Sequence, residues 1–475
     1  MKQCLNSKTK IVATLGPSSS EVRTIEKMLH AGLNVARINM SHGNYEEQAL
    51  KIKNARLASE RTKRPLAILQ DLSGPKIRIG DFDTETVTLV PGKKLTLSTK
   101  KCVGTVSQVS VNYPKLPTEV SVGMAIYLND GKQKLIVNRI DGDDIHTTIV
   151  SGGTIRGRRG VNIPDANLSI SSLTLKDKKD LTWGLTQNPD FITLSFVRSA
   201  DDIHLLRKLI NKDRKRPVMI VAKIETKSAI ENLHDIIEAT DAVMVARGDL
   251  AIEVPPEKVP LLQKQIIRMA NLAGKPVITA TQMLDSMKTE ATPTRAEVND
   301  IANAILDGTD AIMLSDETAI GVQPERPVEV MSRVAHEVES DIFFQERMSQ
   351  WDFTPKETYE VLGQSIAKTV SAIGAKAIVT FSESGRTARI VARYRPIVPI
   401  FVLTPNTATF AQSLISFGCE PVLIPKIKHL VDAQKLARKV LSEYNMITKN
   451  DVFVLGAGIP FGSSGATNMM VVERV

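Results

Sequence analysis

Between residues 10 and 315, short runs rich in β-branched residues alternate with longer amphipathic stretches, and this alternation restricts the fold more than any other feature. The strand-like runs fall at 10–15, 33–40, 66–71, 191–197, 218–225, 242–246, 276–281 and 310–315. Helix-like stretches between them include 20–31, 200–211, 256–273 and 294–306. Pro256 and Pro293 stand where helices would begin, a place where a missing N–H costs little. Strand followed by helix, eight times over, predicts an α/β chain built as a (β/α)8 TIM barrel. A doubly wound open sheet would carry a glycine-rich fingerprint after its first strand, and Leu15-Gly16-Pro17-Ser18 is not one.

The interval between the third and fourth runs is too long for a plain loop in a compact domain. It alternates in short segments at 86–90, 94–98, 106–111, 135–137 and 146–150, with glycines between them, and predicts an all-β domain inserted at the top of the barrel. Beyond residue 345 a second α/β series begins. Its helices are expected at 358–373, 387–393 and 431–443, and its strands at 377–381, 398–404, 422–424 and 451–455. This predicts an open, mostly parallel C-terminal α/β domain. The expected division is 1–75 and 173–345 for the barrel, 76–172 for the inserted lid, and 346–475 for a regulatory domain.

Composition narrows the function. No apolar stretch approaches the ~20 residues of a membrane span, and residues 1–10 lack the apolar core of a secretory signal. Three widely spaced cysteines, Cys4, Cys102 and Cys419, suit a reducing cytoplasm and give neither a disulfide framework nor a zinc cluster. Aromatics at 4% argue against base stacking on nucleic acid. The net charge of +9 is dispersed, with one dense cluster at Arg156-Gly157-Arg158-Arg159. That pattern fits small phosphorylated anions better than nucleic acid or a membrane surface, although a basic solvated surface would read the same way.

The candidate chemistry sits at the C-terminal ends of the strand-like runs, where barrel enzymes keep their active sites. Lys223 and Glu225 are two apart and share a strand face, a cation and a metal-ligating carboxylate or else a simple ion pair. Asp249 follows the next run at the same level, as a second hard oxygen ligand or as a helix cap. Gly248 beside it permits close approach of an anion to the backbone. Arg37, Asn39 and Ser41 alternate onto one face, followed by His42, and Asp71 ends the third run. The seventh run brings Thr279 and Thr281, the eighth Ser315 and Glu317. Each hydroxyl alone would usually be structural; their recurrence at one end of so many strands is not. No G-x-x-x-x-G-K-[ST], H-E-x-x-H or paired C-x-x-C occurs, so a Walker-type NTPase and zinc chemistry lack support.

Segments 9–17, 34–43, 71–78, 222–225, 245–250 and 279–284 resemble those of the pyruvate kinase family; Ala222-Lys223-Ile224-Glu225 and Thr279-Ala280-Thr281-Gln282-Met283-Leu284 are the most specific. The resemblance implies the same three-part architecture and transfer of a phosphoryl group from phosphoenolpyruvate to ADP, giving pyruvate and ATP. It implies that Lys223 stabilises the transferring group and that Glu225 and Asp249 hold Mg²⁺, with Mn²⁺ able to substitute. Arg247, Gly248, Asp249 and Thr281 would bind the substrate, Ser315 would sit on the proton path to the enolate, and a homotetramer is expected. Arg37, His42, Arg78, Asp130 and Arg158 would meet the nucleotide phosphates.

Departures from the family pattern carry further expectations. Asn39, Ser41, Asp71 and the carbonyl of Leu72 match a monovalent-cation site, but Lys76 stands where many members have Glu, as in the subgroup that works without K⁺. K⁺ is therefore expected not to be required, the Lys76 ammonium taking its place. Asp316 replaces the usual Gly or Ala for no reason visible in the sequence. Ser382, Glu383, Ser384, Gly385, Arg386 and Thr387, with Ser463 and Gly465, match the family's effector site, and Glu383 favours a sugar monophosphate or AMP over a bisphosphate. The competing readings are a magnesium-dependent barrel lyase acting on pyruvate-like acids, and a catalytically dead regulator or nucleic-acid-binding protein.

Overall fold

The computed structural model describes residues 7–213, 216–351, 353–461 and 467–475. The eight strands Lys10–Thr14, Val35–Asn39, Ala67–Asp71, Phe191–Leu194, Met219–Ile224, Ala242–Ala246, Val277–Ala280 and Ala311–Leu314 form a closed parallel barrel. Lys10 pairs with Ala311, which joins the first strand to the eighth.

Period-two alternation explains why these runs are almost wholly apolar. Val12, Val35, Leu69, Val221, Met244, Ile278 and Met313 point inward and pack on one another. Ile11, Ile38, Ile220, Ala222 and Val243 point outward beneath the helices. Truncating one such buried Leu, Ile or Met to Ala costs about 2–5 kcal/mol, so this core fixes the strands whose ends carry polar groups. Thr294 caps the helix Arg295–Leu306 by accepting the Glu297 N–H. Pro293 therefore precedes the cap rather than opening the helix, whereas Pro256 does open a short 3-10 turn, Pro256–Lys258.

The insertion after the third barrel strand contains a six-stranded sheet and a two-stranded ribbon around its own core, which includes Leu97, Ile126, Leu135 and Ile149. Strands Ala125–Leu128, Gly153–Arg156 and Val161–Asn162 and the one-turn helix Leu116–Glu119 were not expected from sequence, being too short to show a period.

In the C-terminal domain, Ile378–Phe381, Ile400–Thr404, Cys419–Leu423 and Val452–Ala457 are parallel, and Met469–Arg474 adds an antiparallel edge that the sequence did not reveal. The helix Thr407–Gln412 and the turn after it press Ala411, Leu414 and Ile415 into the bottom of the barrel core. Arg395 grips buried Asp310 there with two bonds of 2.9 Å. The lower end is plugged, and the polar strand ends face the opposite end. Among the described residues no helix is long and apolar enough to cross a membrane.

Candidate active site

The inward parity that buries Val12, Leu69 and Val221 continues up the strands and turns polar at the top. It delivers Thr14, Arg37, Asn39, Asp71, Ser195, Lys223 and Ser315 to the barrel mouth, while Ala246 leaves room. Apart from Thr14, all of these residues, with Ser41, Leu72, Lys76, Phe196, Asp249 and Thr281, line one cavity.

The centre is a buried ion pair. Lys223 Nζ lies 3.0 Å from Glu225 Oε2 and donates to Ser195 Oγ at 2.9 Å. Ser195 Oγ in turn donates to the Leu72 carbonyl at 2.8 Å, which fixes the ammonium's direction. Glu225 Oε1 accepts the Phe196 N–H at 2.7 Å, with Phe196 held at φ 54°. Close as it is to the ammonium, Glu225 Oε2 receives no well-aligned hydrogen bond. Burial pushes the Glu225 carboxyl up to about 7, with Lys223 opposing and the nearby charge of Asp249 adding to the rise. Burial acts against the Lys223 ammonium, but Glu225, Asp71 and Asp249 outweigh it and hold the pKa above the ordinary lysine range.

A buried carboxylate oxygen without an aligned donor, beside a second carboxylate at Asp249, is a donor set that suits Mg²⁺, an ion that takes one or two protein carboxylates and completes its shell with water and substrate oxygens. No group of three or more His, Cys, Asp or Glu side chains that could cage a metal occurs among the described residues.

The helix Arg247–Glu253 starts directly after the sixth strand, so its first-turn N–H groups face the mouth. The Gly248 N–H donates to Thr281 Oγ1 at 2.7 Å. Thr281 sits at φ 73° and Gln282 at φ 52°, two successive left-handed residues; such a conformation is costly for a β-branched side chain. Arg247 spends its guanidinium on Asp300 (2.7 Å) and on the Thr281 carbonyl (2.7 Å), so it holds that strained turn instead of reaching the cavity. Two candidates face elsewhere. Thr279 is out of phase with the inward residues and bonds Thr309 inside the wall at 3.0 Å. Glu317 lies on the helix Asp316–Ala319 and accepts the N–H groups of Ser315 and Leu284 at 2.7 and 3.2 Å. Asp316 is exposed, and its charge acts on His42.

On the other side of the mouth, Arg37 binds Asp71 Oδ2 through Nε at 2.7 Å and Nη2 at 2.6 Å, and Asp71 Oδ1 is buried with no hydrogen bond. Asn39 Oδ1 accepts the Ser41 N–H at 3.1 Å, and Lys76 Nζ reaches Ser41 Oγ at 3.4 Å. Burial of its ammonium, then the charge of Lys223, hold Lys76 below the ordinary lysine value.

A wider cleft between the barrel and the inserted domain is lined by His42, Lys76, Arg78, Asp130 and Arg159. Asn129, Asp130 and Gly131 are all left-handed, making a tight turn that presents Asp130. Arg158 does not line the cleft: its guanidinium makes three hydrogen bonds to Asp81 within the inserted domain, at 2.8 to 3.0 Å, and Arg159 takes the facing position. Burial, then Lys76 and Arg78, lower the His42 pKa. Ser195 and Phe196 escaped the sequence reading, and Arg159 entered it only as a member of the basic cluster at 156–159. The parity of Phe191, Thr193 and Ser195 would have found the first, whereas Phe196 enters through its backbone and carries no motif.

In the C-terminal domain, Ser382, Glu383, Ser384, Arg386 and Thr387 line a pocket closed by Phe381, Phe461 and Thr467. Gly385 lies just outside it, at φ 73°. Ser463 and Gly465 lie outside the described residues.

Comparison with known proteins shows where this fold belongs. The family model "Pyruvate kinase, barrel domain" matches residues 6–328, and "Pyruvate kinase, alpha/beta domain" matches residues 360–473. A pyruvate kinase of Geobacillus stearothermophilus is 41% identical over 99% of the chain and 81% of its own length. One of Staphylococcus aureus (strain MRSA252) is 40% identical over 98% of the chain and 80% of its own length. The crystal structure of a pyruvate kinase from Cryptosporidium parvum superimposes with a TM-score of 0.93 at 33% identity, covering 99% of this chain and 96% of that one. The ion pair at the mouth, the strained Thr281 turn and the inserted β domain thus occur in a chain that belongs to the pyruvate kinase family.

Proposed function

We propose that the chain transfers the phosphoryl group of phosphoenolpyruvate to ADP, giving pyruvate and ATP, through the cavity centred on Lys223. The supporting observation is the Lys223 ammonium, buried and aimed between Ser195 and Glu225 at the mouth of the barrel. Transfer of this kind needs positioning and charge stabilisation more than covalent chemistry. Lys223 neutralises the charge that develops on the group in flight, in a site where a preorganised cation is worth far more than in water. Glu225 and Asp249 hold Mg²⁺, for which Mn²⁺ can substitute; when bound, the ion neutralises phosphoryl oxygens and orients the reactants. Gly248 and Thr281 receive the substrate carboxylate, and Arg247 positions them. Ser315 lies on the path of the proton that reaches the enolate carbon. Arg37, His42, Arg78 and Asp130 meet the nucleotide, with Arg159 the nearer of the Arg158–Arg159 pair. The inserted domain, 76–172, closes over the barrel parts 1–75 and 173–345 and limits hydrolysis by excluding water.

Lys76 takes the place of K⁺ beside Asn39, Ser41, Asp71 and Leu72, and its approach to Ser41 supports this. The domain 346–475 binds a sugar monophosphate or AMP in the pocket of Ser382 to Thr387; Arg386, already over the Tyr359 ring at 3.8 Å, is its cationic wall. The protein works in the cytoplasm as a homotetramer. Steady-state pyruvate formation with ADP, metals and candidate effectors varied tests the whole reading. No ADP-dependent turnover would overturn it, and no response to any sugar phosphate or AMP would remove the effector.

A further inference from the structure

A second cavity lies between the base of the barrel and the C-terminal domain. Glu383, Ser384 and Arg386 line both this cavity and the pocket described above, forming a shared wall. On the barrel side it carries Arg207, from the helix Ala200–Asp213, and Lys275, two residues before the seventh barrel strand. On the opposite side it carries Arg386 and Arg389, from the helix Arg386–Ala392.

These cations are unequally matched. Arg207 has Asp241 at 3.0 Å, and the same carboxylate oxygen also accepts the Ile220 N–H at 2.8 Å. Lys275 Nζ reaches only carbonyls among the described residues, that of Thr240 at 2.6 Å and that of Glu238 at 3.5 Å. Arg389 donates to the Ser384 carbonyl at 3.1 Å, and Arg386 stacks on Tyr359. Of the other carboxylates on the walls, Glu360 is bound by Arg393 at 3.0 Å. Glu383 is left, one carboxylate facing three cations without an ion-pair partner among the described residues. The surplus matches the charge of a dianion. Burial holds Lys275 and Arg389 below their ordinary values; Asp241 opposes it, and repulsion from the neighbouring cations is a smaller contribution.

We propose that this cavity is a second anion site, which takes the phosphate group of a small phosphorylated molecule between Arg389 of the C-terminal domain and Lys275 of the barrel. A guanidinium fork and a flexible ammonium are the two side chains suited to that group, and both line the same cavity. A ligand held this way ties the two domains together and presses on the wall that the neighbouring pocket shares. Its occupancy therefore biases their relative placement. This site does not depend on the effector reading of that pocket.

The test uses crystals of the full chain soaked in tungstate, a phosphate-shaped anion located by its anomalous signal, and calorimetric titration of inorganic phosphate into wild type, Arg389→Gln and Lys275→Gln. The expected results are tungstate within hydrogen-bond reach of Arg389 and Lys275, and phosphate binding at one site weakened tenfold or more in each variant, with effector-free turnover unchanged. Lys275→Gln keeps the test open if Arg389→Gln does not fold. Tungstate confined to the barrel mouth and the Ser382–Thr387 pocket would overturn the proposal. So would tungstate in the cavity with phosphate binding untouched by either substitution, the mark of an adventitious ion only.

Discussion

Arg37 closes on a single oxygen of Asp71, through Nε at 2.7 Å and Nη2 at 2.6 Å, and leaves the other oxygen buried without a hydrogen bond. That free oxygen lies in the same cavity as Asn39, Ser41 and the Lys76 ammonium. The proposed stand-in for a bound monovalent cation is the Lys76 ammonium, and that role has measurable consequences. Replacing K⁺ with tetramethylammonium should leave turnover within about twofold of its starting value. Lys76→Met should lower turnover, and K⁺ should then restore part of it. A large loss on removing K⁺ from the wild type would contradict the assignment.

With Glu225 Oε2 as the proposed metal ligand, Glu225→Gln should raise the Mg²⁺ concentration needed for half-maximal activity. The rise should be ~10–100-fold or more, the scale of losses around metal ligands. Titration of activity against Mg²⁺ reads it directly, and an unchanged half-saturation point would remove Glu225 from the metal.

His42 should titrate below its ordinary value of 6.5 in the free protein, because burial and the charges of Lys76 and Arg78 disfavour the imidazolium. The sign follows from that direction. A depressed folded-state pKa gives a contribution to stability that is complete above the unfolded value and lost as pH falls through the folded one. Nucleotide phosphates, being anionic, should raise the His42 pKa and draw a proton from solution. NMR titration of the imidazole with and without ADP checks both shifts; a free-protein value at or above 6.5 would contradict the electrostatics.

Arg395 and Asp310 join the C-terminal domain to the base of the barrel while almost wholly buried. Arg395→Met leaves the Asp310 carboxylate unpaired inside the protein, which should cost about 3–5 kcal/mol. The double variant Arg395→Met, Asp310→Asn should recover part of that loss in thermal denaturation. Equal losses in the single and double variants would show that the pair's charge is not what holds the domains together.

The parts of this molecule that were legible in the sequence are those written in a period. All eight barrel strands were found, because a strand buried on both faces must be a short apolar run and the helices between them amphipathic. Lys223 and Glu225 were paired correctly because two residues of separation settles their face. The same rule misled at Thr279: two residues separate it from Thr281, but the left-handed turn at Thr281 breaks the alternation, and no residue type announces that φ. Arg158 and Arg159 are indistinguishable as chemistry; the positive φ at Arg158 and the carboxylate of Asp81 decide which one faces the cleft. The antiparallel edge strand Met469–Arg474 follows no helix among the described residues, so the βα rhythm that located the others did not locate it.

Turnover of phosphoenolpyruvate with ADP, measured side by side for the wild type and Lys223→Met at saturating Mg²⁺, tests the central claim most directly. The wild type should form pyruvate and ATP in equal amounts, and the variant should lose about 10²–10³-fold or more in kcat, the scale of removing a transition-state stabilising group, with the KM for phosphoenolpyruvate little changed. A variant that turns over at the wild-type rate would contradict the account.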